Sequence, residues 1–176
     1  MQLSNSTKGE FIRLFPNPSE EIQLAAVKQH GYFALKYIYE VGIVPSEEIQ
    51  LAAVKNHGHA IRFISKPSEE VQLAAVRDEK VSAIEFISNP SEKIQLEAVT
   101  HDRGYNVCYH VKHHTEAVQL ASVTQNGNSL YYICLHGNIP SEQVQLAAVK
   151  KTSGAINHLY KSGIVPSEAV KQAATC

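Results

Sequence analysis

Residues 45–55 read PSEEIQLAAVK, and the same eleven letters already stand at 18–28. The phrase returns as PSEEVQLAAVR at Pro67, PSEKIQLEAVT at Pro90, HTEAVQLASVT at His114, PSEQVQLAAVK at Pro140 and PSEAVKQAATC at Pro166. Successive starts lie 27, 22, 23, 24, 26 and 26 residues apart. A phrase recurring every few tens of residues marks one supersecondary motif repeated along the chain. Its chemistry is helical. Ser, or Thr115 in the fifth copy, suits an N-cap, the Glu after it complements the positive helix end, and Pro stops any earlier helix. Ile22, Leu24, Ala25, Ala26 and Val27 would then form a broad apolar face, with alanines small enough for a neighbouring helix to come close.

Gly31, Gly58, Gly104, Gly127 and Gly154 follow the phrase and read as left-handed helix ends, with Asp78, Glu79 and Lys80 in their place in the third copy. A second helix is expected after each. Its core pairs are Leu35 and Ile38, Ile61 and Ile64, Ile84 and Ile87, Cys108 and Val111, Leu130 and Ile133, Ile156 and Leu159. An aromatic or His stands within each pair, at Tyr37, Phe63, Phe86, His110, Tyr132 and His158. Neither helix is long enough to be stable alone, so each must bury its face on its neighbours.

Residues 8–16, with Phe11, Ile12, Leu14 and Phe15, resemble a second helix without its first, an N-terminal half-repeat cap. Residues 167–176 resemble a first helix without its second, made polar outside by Lys171 and Gln172. The expected fold is all-α: a single domain over 1–176, built as a right-handed α-solenoid of stacked two-helix repeats with about 14 short helices. Repeats start near 18, 45, 67, 90, 114, 140 and 166.

Composition sets the function classes. The chain has 176 residues, 44% of them hydrophobic, and 16 Lys plus Arg against 17 Asp plus Glu, a formal charge of −1. That balance argues against a general nucleic-acid or membrane-surface binder, which carries a basic field. Cys108, Cys134 and Cys176 form an odd set with no CxxC spacing, which fits a reducing compartment. No secretory signal or transmembrane run stands out, so a soluble, cytoplasmic protein is expected, with no membrane contact.

The phrase, with its acidic-capped helix, Gly turn and Ile/Leu-aromatic second helix, resembles the short HEAT-like two-helix repeats of bacterial and phage proteins that are catalogued as a domain of unknown function. The resemblance runs from about Phe11 to Cys176 and implies the fold. It transfers no catalytic motif. It also suggests a phage or bacterial inhibitor that blocks a target such as a defence-system component. The fifth copy departs most, with His114 for Pro and Ala117 for the second acid.

Several residue sets stand out. Gln23, Gln50, Gln72, Gln95, Gln119 and Gln145 share one position, either as an exposed amide row for a partner or as hydrogen-bonding glue between repeats. Lys28, Lys55, Arg77 and Lys150 end the first helices and form a basic edge, with His30, His57, His59, His101, Arg103 and Lys151 nearby. Glu20, Glu21, Glu47, Glu48, Glu69, Glu70 and Glu142 form the acidic one. Complementing the helix dipoles explains both edges, and a docking edge is the alternative. Cys108, His110, His113 and His114 are metal-type residues at close spacing, but two of them fall at core positions, so no metal is expected. No GxSxG, HExxH, P-loop or GxGxxG occurs, so neither an enzyme nor a cofactor is expected.

The reading that follows is a non-enzymatic scaffold for a protein partner, as monomer or homodimer. Its candidate contacts are the exposed second-helix row Arg13, Lys36, Arg62, Glu85, Tyr109, Tyr131 and Asn157, whose character changes from copy to copy. The alternative is a nucleic-acid-binding HEAT-like module that uses the Lys/His edge.

Overall fold

The structure, a computed structural model, describes residues 12, 17–78, 82–101 and 105–175, with the side chain of Tyr105 excepted. The N-terminal cap expected at 8–16 lies outside these residues except for Ile12, which is buried. Arg13, Gly104 and Arg103 also lie outside them. The described residues are helical and contain no strand. They gather into two compact units, divided between Ile87 and Ser88.

In the first unit, helix α1 (Glu20–His30) is followed by α2 (Tyr32–Glu40), α3 (Glu47–Asn56), a 3₁₀ stretch (Gly58–Phe63), α4 (Glu69–Val76) and a second 3₁₀ stretch (Ala83–Phe86). First helices pack on first helices, α1 on α3 and α3 on α4, while α2 packs on the 58–63 stretch and that on 83–86. The second unit holds α5 (Glu92–His101), α6 (Tyr105–His110), α7 (Glu116–Gln125), α8 (Ser129–Leu135), α9 (Glu142–Lys151), α10 (Ile156–Lys161, entered through a 3₁₀ turn at Ser153–Ala155) and α11 (Glu168–Ala173). Here α5, α7, α9 and α11 pack in succession, as do α6, α8 and α10.

Each first helix starts where the phrase expects. Ser68, Ser91, Thr115, Ser141 and Ser167 accept the N–H of the third helical residue at 3.3–3.4 Å. The same hydroxyl does a second job in four of these repeats. Ser68 donates to Glu47, Thr115 to Glu92 (2.6 Å), Ser141 to Glu116 and Ser167 to Glu142. The first-turn Glu of one repeat is thereby tied to the cap of the next. The acidic edge complements helix ends and also fastens neighbours within each unit.

The buried stripe is narrower than the phrase implies. In α3 it is Ile49, Ala53 and Val54, and in α9 it is Val144, Gln145, Ala148 and Val149. Leu24 is only half-buried and Ala25 is exposed. Second elements bury the expected pairs, with Ile156 alone half-buried, and add a small residue before each pair: Ala34, Ala60, Ala83, Val107, Ser129 and Ala155. In the second unit, Cys108, Leu130, Ile133 and Leu159 meet Val123, Val144, Val149 and Val170 in one continuous core.

The glycines after the phrase need correcting. Of Gly31, Gly58, Gly127 and Gly154, only Gly31 has positive φ (53°), and α3, α7 and α9 end instead in the extended residues His57, Asn126 and Thr152. The left-handed glycines are Gly42 (φ 83°), Gly137 (76°) and Gly163 (73°), at the ends of second helices. There Ile43, Asn138 and Ile164 donate back to Ile38, Ile133 and Leu159, and each Gly to the residue three before it, a Schellman ending.

Candidate partner-binding face

The Gln row settles first. Nε2 of Gln23, Gln50, Gln72, Gln95 and Gln145 donates to the carbonyl of Pro18, Pro45, Pro67, Pro90 and Pro140 at 2.9–3.0 Å, and Gln119 to His114 at 3.3 Å. Each amide folds back five residues onto its own repeat and satisfies a carbonyl ahead of the helix. Gln23, Gln95, Gln119 and Gln145 are buried. The row is neither an exposed docking strip nor a bond between repeats. Its signal in the sequence was the constant Pro–Gln separation.

The basic residues Lys28, Lys55, Arg77 and Lys150 are exposed at or just after their helix ends. In the first unit a groove of about 700 Å³ between α3 and α4 is lined by Lys55, His57, Arg77 and Asp78. Asp78 already fills its cationic corner: it accepts from the Gly58 N–H at 2.9 Å and lies 3.6 Å from His57. An incoming anion would meet a carboxylate there.

The second-element row is exposed throughout: Lys36, Arg62 and Glu85 in the first unit, and Tyr109, Tyr131 and Asn157 in the second. The two units use it differently. In the first, Lys36 lies 3.4 Å from Glu40, Glu85 lies 3.7 Å from His59, and the Arg62 guanidinium sits 5.4 Å from the rings of both Phe63 and Phe86. Tyr32 and Phe63 stack at 5.9 Å, and His57 stacks on His59 at 5.4 Å. These side chains engage one another.

In the second unit the row is a chain of rings. Tyr109 meets His110 at 4.7 Å and Tyr132 at 5.3 Å, Tyr132 meets Tyr131 at 5.0 Å, and Tyr131 meets His158 at 5.3 Å. Helices α6, α8 and α10 place one or two of these rings each. The sequence marks Tyr109 and Tyr131 as exposed and Tyr132 and His158 as aromatic core, but not their interlocking between neighbours. Burial, with Lys161 adding to it, lowers the His158 pKa, so its imidazole is neutral at pH 7.

The Cys108, His110, His113 and His114 set has no shared focus. Cys108 is fully buried, and burial pushes its thiol up to about 11, opposed by the Ser122 hydroxyl, which faces it outside hydrogen-bond geometry. Burial likewise raises Cys134, so neither thiol is an activated nucleophile. His114 stands apart: both its ring nitrogens are shut off from solvent with no hydrogen-bond partner. Burial lowers its pKa, opposed by the Val107 and Val111 carbonyls, which face it outside hydrogen-bond geometry. Among the described residues no three His, Cys, Asp or Glu side chains could hold a metal ion, and no helix is long and apolar enough to cross a membrane. No family model, curated protein or solved structure matches the chain.

Proposed function

We propose that this chain is a non-enzymatic protein-binding scaffold, a right-handed α-solenoid of HEAT-like helix pairs that works by covering a surface of its target. A cytoplasmic inhibitor of phage or bacterial origin, directed at a component such as a defence protein, fits that reading. One contrast carries it. The glutamine's bond to the carbonyl five residues before it recurs in six repeats, to Pro in five and to His114 in one, while the exposed second-element row runs through Lys36, Arg62, Glu85, Tyr109, Tyr131 and Asn157. A fixed frame with a varied outward row is how repeat proteins encode a specific surface. Exposed aromatics are also enriched among interface hot spots.

The test is recovery of a partner from host lysate on immobilised full-length chain, read by mass spectrometry, beside Lys36→Ala/Arg62→Ala/Glu85→Ala and Tyr109→Ala/Tyr131→Ala. The expected result is one protein retained by the parent and lost by at least one variant. Retention unaltered in both variants would overturn the assignment of this face. Binding of duplex DNA at moderate salt, abolished by Lys28→Ala/Lys55→Ala/Arg77→Ala, would favour the nucleic-acid alternative.

A further inference from the structure

The second elements of the 88–176 unit and the turns that follow them, residues 105–115, 129–140 and 156–166, contain no Asp or Glu; the turns before α8 and α10 hold no acid either, and the one before α6 has Asp102 beside Arg103 in the sequence. Their permanent charges are Lys112 and Lys161, both exposed, and they hold His110, His113, His114, His136 and His158. The unit's carboxylates among the described residues, Glu92, Glu97, Glu116, Glu142 and Glu168, all stand on first helices. Three successive second elements whose own permanent charges are all positive, in a chain of net charge −1, give this face a cationic bias.

That face also has an apolar centre. Tyr131 and Leu135, four apart on α8, are 42% and 57% exposed, and Tyr109 on α6 is 50% exposed. The ring chain through Tyr132 holds both tyrosines in place, so little side-chain freedom remains to be lost on binding. Lys161 follows Asn157 by one helical turn on α10, at the position Leu135 holds relative to Tyr131, and is close enough to His158 to depress its pKa. The layout is an ordered aromatic and aliphatic middle with cationic and imidazole groups around it.

We propose that this face docks an acidic peptide segment of the partner, one with Asp or Glu flanking an apolar side chain. The apolar side chain seats on Tyr109, Tyr131 and Leu135, and the carboxylates reach Lys161, Lys112 and the tyrosine hydroxyls. The idea rests on the protein-binding reading above and gives the partner's chemistry. A nucleic acid fits less well. Two lysines neutralise few phosphates, and the rings meet at 58–80° rather than as parallel platforms for successive bases.

The experiment is selection of a random-sequence peptide library on the full-length chain, followed by affinity measurement of the enriched peptides. Enriched sequences should carry Asp or Glu beside a Leu, Phe or Tyr. Their affinity should fall about tenfold or more with Tyr109→Ala/Tyr131→Ala and with Lys112→Glu/Lys161→Glu, and more weakly with Tyr109→Phe/Tyr131→Phe. The lysine pair keeps the test meaningful if removing the rings unfolds the unit, since both side chains are exposed. Enrichment of neutral or basic peptides, no enrichment, or acidic peptides indifferent to both variants would overturn the proposal. So would labelled oligothymidylate binding that Lys112→Glu/Lys161→Glu abolishes. If lysate yields a partner but selection gives no acidic peptides, only this inference falls. If neither yields a protein or peptide binder, the scaffold reading falls with it.

Discussion

Residues 57–87 and 126–165 do the same structural job with different helices. In 126–165 the second elements are α8 and α10, each closed by a left-handed glycine, Gly137 or Gly163. In 57–87 they are 3₁₀ stretches at Gly58–Phe63 and Ala83–Phe86, without such a glycine. The repeat lengths account for it: the short copies are 22 and 23 residues and the long ones 26. A 3₁₀-helix rises about 2.0 Å per residue against about 1.5 Å for an α-helix, so the six residues 58–63 span about 12 Å, as eight α residues would. The tighter winding lets a shortened repeat cover nearly the same height and still bury Ile61 and Ile84. First helices, with a Ser or Thr at the cap position throughout and in six of seven a Gln bonded to the carbonyl five residues before it, are the more constant part. Second elements absorb the variation, and the exposed row that varies is carried by them.

The largest expected effect tests how the long copies close. A Cβ on Gly127 would come 2.5 Å from the Ala148 carbonyl oxygen and 2.8 Å from Thr152, whereas one on Gly154 would meet nothing within 4 Å. Gly127→Ala should therefore cost about 3 kcal/mol, through displaced backbone where α7 meets α9, and Gly154→Ala only a few tenths. Urea denaturation of the two variants checks the contrast, and equal costs would refute the close approach. Next comes the frame. Gln145→Ala leaves the Pro140 carbonyl without its partner in a buried setting and should cost about 2 kcal/mol, more than Gln72→Ala, whose side chain is half-buried. A smaller step separates the two kinds of second element. Gly137→Ala forces a Cβ into the left-handed region and should cost about 1 kcal/mol, although the site itself is open.

Much of this was legible in the sequence. The period and the helix starts follow from the phrase, but its Ser bonds the helix at Ser68, Ser91, Ser141 and Ser167 and not at Ser19 or Ser46, so the cap position is local and the bond itself is not guaranteed by it. Most of the second-element core pairs follow from spacing. Other features depend on partners that a single repeat does not reveal. Ser68 and Glu47 each read as ordinary cap and first-turn residues, and only packing of α3 on α4 brings them together. The 3₁₀ stretches were encoded in the 22- and 23-residue spacings, which a fixed two-helix template hides. Glycine position misled because Gly31, Gly58, Gly127 and Gly154 follow a helix, yet the latter three serve the start of the next element. Gly42, Gly137 and Gly163, two residues before an apolar residue and three before Pro, held the helix-ending signal. On the candidate face, exposure could be read from periodicity. The pairing that occupies Arg62 and Glu85, and the ring chain that holds Tyr109 and Tyr131, could not, since both join different second elements.

The smallest effect concerns the copy that breaks the phrase. His114 stands where six other copies have Pro, and its N–H donates no backbone hydrogen bond among the described residues, so nothing in the ladder opposes proline there. His114→Pro should stabilise the protein by about 0.5 kcal/mol at pH 7.5, by restricting the unfolded chain and removing an imidazole whose nitrogens are buried without partners. The same substitution should change the pH response. Burial, with His136 and His113 adding to it, holds the folded-state pKa of His114 below its unfolded value near 6.5. Below that value the unfolded chain binds the extra proton first. The contribution of neutral His114 is therefore fully present above about pH 6.5 and is lost as pH falls towards the folded value. His158 is shifted in the same direction and remains in the variant, so some acid sensitivity should persist. Thermal melts at pH 7.5 and 5.5 should show a smaller drop for His114→Pro than for the parent chain. An equal drop would mean that the buried imidazole already finds a proton-accepting partner, and that the fifth copy fits its neighbours better than its sequence suggests.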